Sequence, residues 1–237
     1  MSQLVTEVIP SAGAVVDVAT AAGRDWLAER YRRAEESYLR LNMITSLTGA
    51  AAGEDGTSDT LTSTLDRRIL GLIRADADAV VVGAQSVRAE GYVVPRTARL
   101  AVVTSSGDLS GHRLDDDGSA ERVLVVCPQE RADDVSQRLP TGATVVPVAS
   151  AGGHLRPEDI VDALARRGLR RLVCEGGPSL AAQFADAGLI DEYCVTVAPT
   201  IAPAARPFLP VSHRVGTTPA GLLVDAAGFS YLRLRAR

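Results

Sequence analysis

The sequence lacks the features that mark membrane proteins and nucleic-acid-binding proteins. No apolar run approaches the roughly 18 residues that a membrane-spanning helix requires. The first thirty residues do not have the charged segment and following apolar segment of a signal peptide. Lys and Arg number 25 against 29 Asp and Glu, so the formal net charge is −4, and there is no dense basic stripe. We therefore expect a cytoplasmic protein that binds neither a membrane nor a nucleic acid.

Disulfide and metal signatures are absent as well. The cysteines Cys127, Cys174 and Cys194 lie in apolar runs and form no C-x-x-C pair, which is typical of reduced thiols in a core. His112 and His154 lie in glycine-containing loops and belong to no zinc-ligand pattern. The sequence therefore predicts no metal site.

The pattern of apolar residues predicts an α/β fold. A hydrophobic content of 46% can supply the core of one large domain or two small ones. Strand-like runs alternate with stretches of helical spacing, which indicates a mostly parallel central sheet with helices on both faces. Antiparallel strands are expected at the C-terminal end. The predicted strands are 39–47, 79–82, 99–104, 122–127, 144–148, 171–174, 190–197 and 229–235, and the predicted helices are 64–74, 84–90, 131–139, 157–167 and 178–187.

The residues before the first predicted strand have a different character. In residues 24–39, Leu27, Tyr31 and Tyr38 recur at helical spacing, with charges on the opposite face. We therefore predict an N-terminal helical extension over residues 1–38, followed by one domain over residues 39–237.

The clearest glycine motif is residues 175–180, EGGPSL, between a predicted strand and a predicted helix. Paired glycines let the backbone approach a ligand, and a helix N-terminus favours a phosphate. A tight turn without a ligand accounts for the motif equally well, and neither G-x-G-x-x-G nor G-x-x-x-x-G-K occurs. Residues 83–86 and 104–106 also follow strands, at the sheet edge where α/β proteins bind ligands.

A hydrolase is an alternative interpretation of the same turn. Ser179, Asp191 and His213 occur in the chain order of an α/β-hydrolase triad. However, Ala181 replaces the second glycine of the nucleophile turn, and Pro178 precedes the serine. We therefore favour a ligand-binding turn over a nucleophile.

Several segments, taken together in order and spacing, resemble a known family. They are residues 42–49 (NMITSLTG), 61–63 (LTS), 72–84 (LIRADADAVVVGA), 87–92 (VRAEGY), 175–180 (EGGPSL) and 189–192 (LIDE). They resemble the reductase domain of the bifunctional riboflavin deaminase-reductase, and more closely its stand-alone pyrimidine reductase relatives. The zinc signature of the deaminase, H-x-E with P-C-x-x-C, is absent.

The resemblance implies a fold, a reaction and a set of site residues. The fold would be similar to dihydrofolate reductase, and the protein a homodimer. It would transfer hydride from NADPH to the ribosylamino carbon of a pyrimidine ribosylamino 5′-phosphate, which yields a ribitylamino product. The implied cofactor-binding residues are Thr62, Asp66, Gly83, Ser86, Thr104, Gly176, Gly177, Pro178, Ser179 and Leu180, the implied substrate-binding residues are Ser58, Arg74 and Glu175, and the candidate catalytic residues are Glu175 and Thr48.

Some of these residues also suit a purely structural role. Arg74 lies near a helix C-terminus, where a cation interacts favourably with the helix dipole, and Asp66 suits a helix cap. Glu175 could cap the backbone N–H groups of its own turn. Many relatives carry Lys in place of Asn42 and Asp in place of Thr48, and a threonine hydroxyl cannot titrate at working pH.

The departure at Thr48 leaves the substrate open. Either water supplies the proton, or the substrate differs from that of the relatives. Dihydrofolate reductase activity on a reduced pterin is the nearest alternative. A non-catalytic protein that binds NADPH is a third possibility.

Overall fold

The structure, a computed structural model, describes residues 2–11, 13–111, 114 and 119–237. No helix within these residues is long and apolar enough to cross a membrane. The strands and α-helices in this part of the chain are β1 Leu4–Ile9, β2 Ala14–Asp17, α1 Ala21–Tyr31, β3 Tyr38–Ser46, α2 Thr64–Ala75, β4 Ala79–Gly83, α3 Ala84–Glu90, β5 Arg99–Val103, β6 Val123–Pro128, α4 Ala132–Arg138, β7 Thr144–Val148, β8 Ser150–Ala151, β9 His154–Leu155, α5 Pro157–Ala165, β10 Arg171–Cys174, α6 Pro178–Asp186, β11 Glu192–Ala198, β12 Thr217–Asp225 and β13 Ser230–Ala236.

A large mixed sheet organises the described part of the chain. Its strands lie in the order β2-β1-β12-β13-β11-β3-β10-β4-β5-β6-β7. From β11 to β7 every neighbouring pair is parallel, and from β2 to β11 every pair is antiparallel. The predicted mostly parallel sheet with antiparallel strands at the C-terminal end is therefore confirmed.

Helices cover both faces of the parallel half of the sheet. Side chains of α1, α2, α3 and α4 pack in one core, and those of α5 and α6 pack in the other. Strand β4 shows why its sequence is continuously apolar. Val80 and Val82 lie in the first core and Val81 lies in the second, because successive side chains of a strand point to opposite faces.

The prediction of a helical extension over residues 1–38 was wrong in its secondary structure. Strands β1 and β2 precede the helix, and β1 pairs antiparallel with β12. Helix α1 ends at Tyr31, because the backbone is extended at Arg32. Tyr38, which was predicted to lie in the helix, is the first residue of β3. Val5 and Leu27 are fully buried in the core beneath α1. The division of the chain at residue 38 stays a prediction.

Candidate active site

Two adjoining clefts open at the carboxyl ends of the parallel strands. The first cleft, about 380 Å³, lies between the ends of β4 and β5 and the start of α6. The second cleft, about 420 Å³, lies between β3, α2 and the end of α3. Both clefts are lined by Ala51, Ser86, Glu90, Gly177 and Pro178. Two ligands bound side by side would therefore meet at the turn that precedes α6.

Most of the predicted site residues line these clefts. The predicted substrate-binding residues Ser58, Arg74 and Glu175 all line the second cleft. Of the predicted cofactor-binding residues, Thr62 and Asp66 line the second cleft only. Those that line the first cleft are Gly83, Ser86, Thr104, Gly177, Pro178, Ser179 and Leu180.

The turn of residues 175–177 is held by backbone hydrogen bonds and contains two glycines in succession. The Glu175 N–H donates to the Val81 carbonyl at 3.0 Å, and the Gly83 N–H donates to the Gly176 carbonyl at 2.9 Å. Gly176 has a φ of +100°, which favours glycine. A Cβ on Gly177 would lie 2.7 Å from the Ser86 Oγ. The glycines therefore leave an open cradle between β4 and α6.

The start of α6 can receive an anion. Its N-cap, Gly177, provides no side-chain hydrogen bond, and Ala181 is the first residue whose N–H bonds back to the Gly177 carbonyl. The N–H groups of Ser179 and Leu180 consequently have no acceptor within the helix. These donors and the helix dipole suit a phosphate group in the first cleft.

Arg74 and Glu175 form an ion pair in the second cleft. Arg74 Nε lies 2.7 Å from Glu175 Oε1, and Arg74 Nη2 lies 2.6 Å from Glu175 Oε2. Arg74 Nη2 also donates to the Tyr92 hydroxyl at 2.8 Å. Burial lowers the pKa of Arg74, but the hydrogen bond and negative charge of Glu175 outweigh it and raise that pKa overall. The guanidinium therefore stays charged.

This pairing changes how both residues are understood. A cap of its own turn was one role open to Glu175, yet its carboxylate binds Arg74 instead. The resemblance implied that Arg74 binds the substrate, and a planar guanidinium fork suits a phosphate, but Glu175 occupies that fork. The two residues act together, and the Arg74 Nη1 is the part of the guanidinium that remains for a ligand.

Glu90 lines both clefts, although the sequence motifs did not predict it as a site residue. Its Oε2 accepts a hydrogen bond from the Ser58 Oγ at 3.1 Å. Although Glu90 is exposed, desolvation of its carboxyl group raises its pKa, and the negative charges of Asp59 and Glu175 add to this, against the hydrogen bond from Ser58 and the positive charge of Arg206. The sequence did contain one signal for a role of Glu90 in the site. Glu90 is the last residue of α3, where the helix dipole disfavours a negative charge, so an acidic residue there is unexpected in a purely structural role.

Two more of the predicted residues have local structural roles. The Asp66 backbone N–H donates to the Ser63 Oγ at 3.1 Å, so Asp66 lies in the predicted cap of α2 while it also lines the second cleft. Thr48 lies outside the residues that line the two clefts. Its hydroxyl is 3.0 Å from the Ser46 Oγ and contacts the backbone of Ala202. Its proposed catalytic role stays a prediction that this conformation does not support.

The hydrolase alternative does not have the required geometry. Ser179 lies in the first turn of α6 at the carboxyl end of the sheet, whereas the Asp191 carboxylate accepts the Leu39 N–H at 2.7 Å, at the amino end of β3. His213 lies 3.5 Å from Asp186 rather than beside Ser179 or Asp191.

Metal ligands are a separate question. His112 is outside the described residues, and the described ones contain no group of three or more His, Cys, Asp or Glu that could hold a metal ion.

Comparison with known proteins identifies the family. Residues 37–212 match the family described as the RibD C-terminal domain. The chain belongs to this family. Over 189 residues it is 30% identical to riboflavin biosynthesis protein RibD of Mycobacterium tuberculosis, which covers 78% of this chain and 48% of the relative. This chain thus spans about half the length of the relatives it matches.

Solved structures confirm the predicted fold class. A pyrimidine reductase-like protein of Corynebacterium diphtheriae superposes with a TM-score of 0.72 at 26% identity, over 85% of this chain and 92% of that one. A deaminase/5-amino-6-(5-phosphoribosylamino)uracil reductase of Thermotoga maritima gives 0.69 at 20% identity, over 85% and 57%. The dihydrofolate reductase-like α/β architecture expected from the sequence is consistent with both.

The ion pair predicts a stability effect at Glu175. Glu175→Gln removes the charge that neutralises Arg74 and leaves its fork with a weaker acceptor. We expect the free energy of unfolding in urea to fall by about 1.5–3 kcal/mol, the range for hydrogen bonds to charged groups. Asp134→Asn, which breaks the exposed pair with Arg138, is the control and should change it by less than about 0.5 kcal/mol. Equal stability of Glu175→Gln and the parent protein would contradict a stabilising pair.

Proposed function

We propose that this RibD-family chain is an NADPH-dependent reductase of riboflavin biosynthesis. It would reduce the ribosylamino carbon of a pyrimidine ribosylamino 5′-phosphate to the ribitylamino product. The observation that carries the proposal is the meeting of two clefts at Gly177 and Pro178, because hydride transfer needs cofactor and substrate in contact. Family membership and the names of its relatives support the pathway.

The first cleft suits a dinucleotide. The cradle at Gly177 and the free N–H groups at the start of α6 would hold a phosphate, and Ser86 and Thr104 would add hydroxyl groups. When bound, NADPH supplies the hydride, while the protein supplies position and charge. Gly83 keeps the end of β4 free of a side chain, so that the cofactor can lie against the backbone.

The second cleft suits a polar, phosphorylated substrate. Arg74, held by Glu175 and Tyr92, presents the N–H donors of its Nη1 without the need to order a flexible side chain when the substrate binds. Ser58 and Glu175 offer hydrogen-bond partners for ribose hydroxyl groups. Glu90 lies where the two clefts join, and we propose that its carboxyl group, rather than the hydroxyl of Thr48, holds the proton that the reduction requires.

A turnover assay separates the proposed function from its alternatives. We expect steady NADPH oxidation with the pyrimidine ribosylamino 5′-phosphate, and slower oxidation with NADH. Oxidation with dihydrofolate alone would support a dihydrofolate reductase instead. Saturable NADPH binding without turnover of either substrate would support a non-catalytic binding protein.

A glycine substitution tests the cofactor position in the same assay. Gly177→Val places a branched side chain in the cradle, so NADPH affinity measured by fluorescence titration should fall at least about tenfold, which corresponds to roughly 1.4 kcal/mol. Gly71→Val is the matched control, since a Cβ there meets nothing within 4 Å. Unchanged affinity in a folded Gly177→Val variant would place the cofactor elsewhere.

The raised pKa of Glu90 predicts a pH dependence. The carboxyl group keeps its proton to a higher pH than a free glutamate, so kcat/KM should fall as the pH rises through that pKa. Glu90→Gln should lose about 10²–10⁴-fold in kcat/KM, and its remaining activity should not show this fall. The exposed Glu36→Gln is the control. A Glu90→Gln variant with the parent's pH profile would show that another group provides the proton.

We also propose a homodimer. The resemblance to the family implied one, and the edge of the sheet offers a surface for it. Leu4 and Val8 of β1 and Val15 of the edge strand β2 are exposed apolar side chains. In light scattering we expect the parent protein to be a dimer and Val15→Glu to be a monomer, whereas Leu47→Glu, which changes an exposed apolar residue after β3, stays dimeric. A parent protein that is monomeric at all concentrations would exclude the proposal. A cytoplasmic location stays a prediction.

A further inference from the structure

One cationic side chain of the first cleft has no role in the site described above. Among the described residues, the cationic side chains that line this cleft are Arg88 and Arg206. Arg88 is already matched, because its Nη1 donates to the Asp108 carbonyl at 2.6 Å and lies 3.6 Å from the Asp108 carboxylate. Arg206 is exposed, and its guanidinium makes no ion pair or hydrogen bond within the part of the chain that the structure describes. Its charge is therefore available to a ligand.

The backbone that carries Arg206 is held in place from two sides. The Arg206 carbonyl accepts the Ala51 N–H at 2.9 Å, which ties it to the loop after β3. Farther along the same segment, Leu209 packs against the core of α5 and α6, and the Ser212 N–H donates to the carboxylate of Asp186 in α6 at 2.9 Å. The fold therefore positions Arg206 at the wall of the first cleft, although neither strand nor helix carries it.

Arg206 lies near the place where the two clefts join. Ala51, which is bonded to the Arg206 backbone, lines both clefts, and so does Glu90. Desolvation raises the pKa of Glu90, and the positive charge of Arg206 opposes that rise, so the two side chains are close enough to interact. Hydride transfer requires the nicotinamide to meet the substrate at this join. The adenosine half of a bound dinucleotide would consequently lie toward the other end of the first cleft.

A dinucleotide brings more negative charge than the start of α6 can balance. Its pyrophosphate lies between the two nucleosides, whereas a helix N-terminus supplies only about half an elementary charge. Helix α6 begins at Pro178, which lines both clefts, so a phosphate group at its free N–H groups also lies near the join. A guanidinium group can bind two phosphate oxygens at once. Arg206 offers this group from a segment other than α6.

We propose that Arg206 binds the pyrophosphate of the NADPH molecule that the proposed function requires. The inference rests on the proposed function, because without a dinucleotide in the first cleft there is no pyrophosphate to bind. NADPH differs from NADH by a phosphate on the adenosine ribose, which lies on the side of the pyrophosphate away from the join. Arg206 therefore contributes equally to the binding of both nucleotides and does not select between them.

Fluorescence titration with NADPH and with NADH tests this role. Arg206→Met removes the charge, so we expect both Kd values to rise about tenfold while their ratio stays the same. Arg206→Lys keeps the charge but loses the planar fork, and its Kd values should lie between those of the parent and Arg206→Met. Arg214→Met is the matched control. It makes the same change of charge at an exposed arginine of the same segment that lines neither cleft, and it should keep the parent Kd values.

The possible outcomes separate this inference from the proposed function. If the parent protein binds NADPH and Arg206→Met binds it equally well, the role of Arg206 is overturned and the proposed function stands. A Kd that rises for NADPH but not for NADH would place Arg206 at the phosphate of the adenosine ribose, which also overturns the inference. A parent protein that binds neither nucleotide would remove the proposed function, and this inference with it. Since the side chain of Arg206 is exposed, all three variants should unfold at the Tm of the parent protein.

Discussion

Strand β10 hydrogen-bonds in parallel with β3 on one side and β4 on the other, and the site depends on this pairing. Cys174 lies beside Leu41 of β3 and beside Val81 of β4, and the ladder with β4 continues beyond the strand through Glu175 and Gly176. The turn before α6 is therefore held by the same hydrogen bonds as the sheet. Because β4 ends only two residues beyond its pairing with the last residue of β10, the cradle, the ion pair and the start of α3 meet at one edge. A slip in this register would separate the two clefts.

The ion pair of Arg74 and Glu175 shows how the two clefts are coupled. Arg74 projects from α2, whereas Glu175 begins the turn that leads into α6. The pair therefore joins the wall of the second cleft to the segment that shapes the first. Preformed pairing fixes the charge before a ligand arrives, so less side-chain entropy is lost on binding. It also makes Glu175 a structural residue as well as a candidate substrate ligand, and the two roles need separate measurements.

Elements defined by local pattern could be predicted, and features that depend on distant partners could not. Helix α2 was predicted from the helical spacing of its apolar residues, and β4 from an apolar run. Strand β12 was missed because Pro219 and Gly221 interrupt its pattern, and β1 because its partner is β12. Most of the site residues that the family resemblance implied line the two clefts. The pairing of Arg74 with Glu175 did not, because nothing in either local sequence indicates the other.

The antiparallel pairing of β1 with β12 has a consequence for how the chain is made. Val5 lies opposite Asp225, so a strand near the start of the described chain completes its hydrogen bonds with one near the end. Translation at about 5–20 residues per second therefore leaves β1 without its partner for on the order of ten seconds or more. During that interval the parallel half of the sheet can assemble, whereas the apolar residues of β1 and β2 remain available to other nascent chains or to chaperones. The N-terminal strands thus wait for their partner until most of the chain has been made.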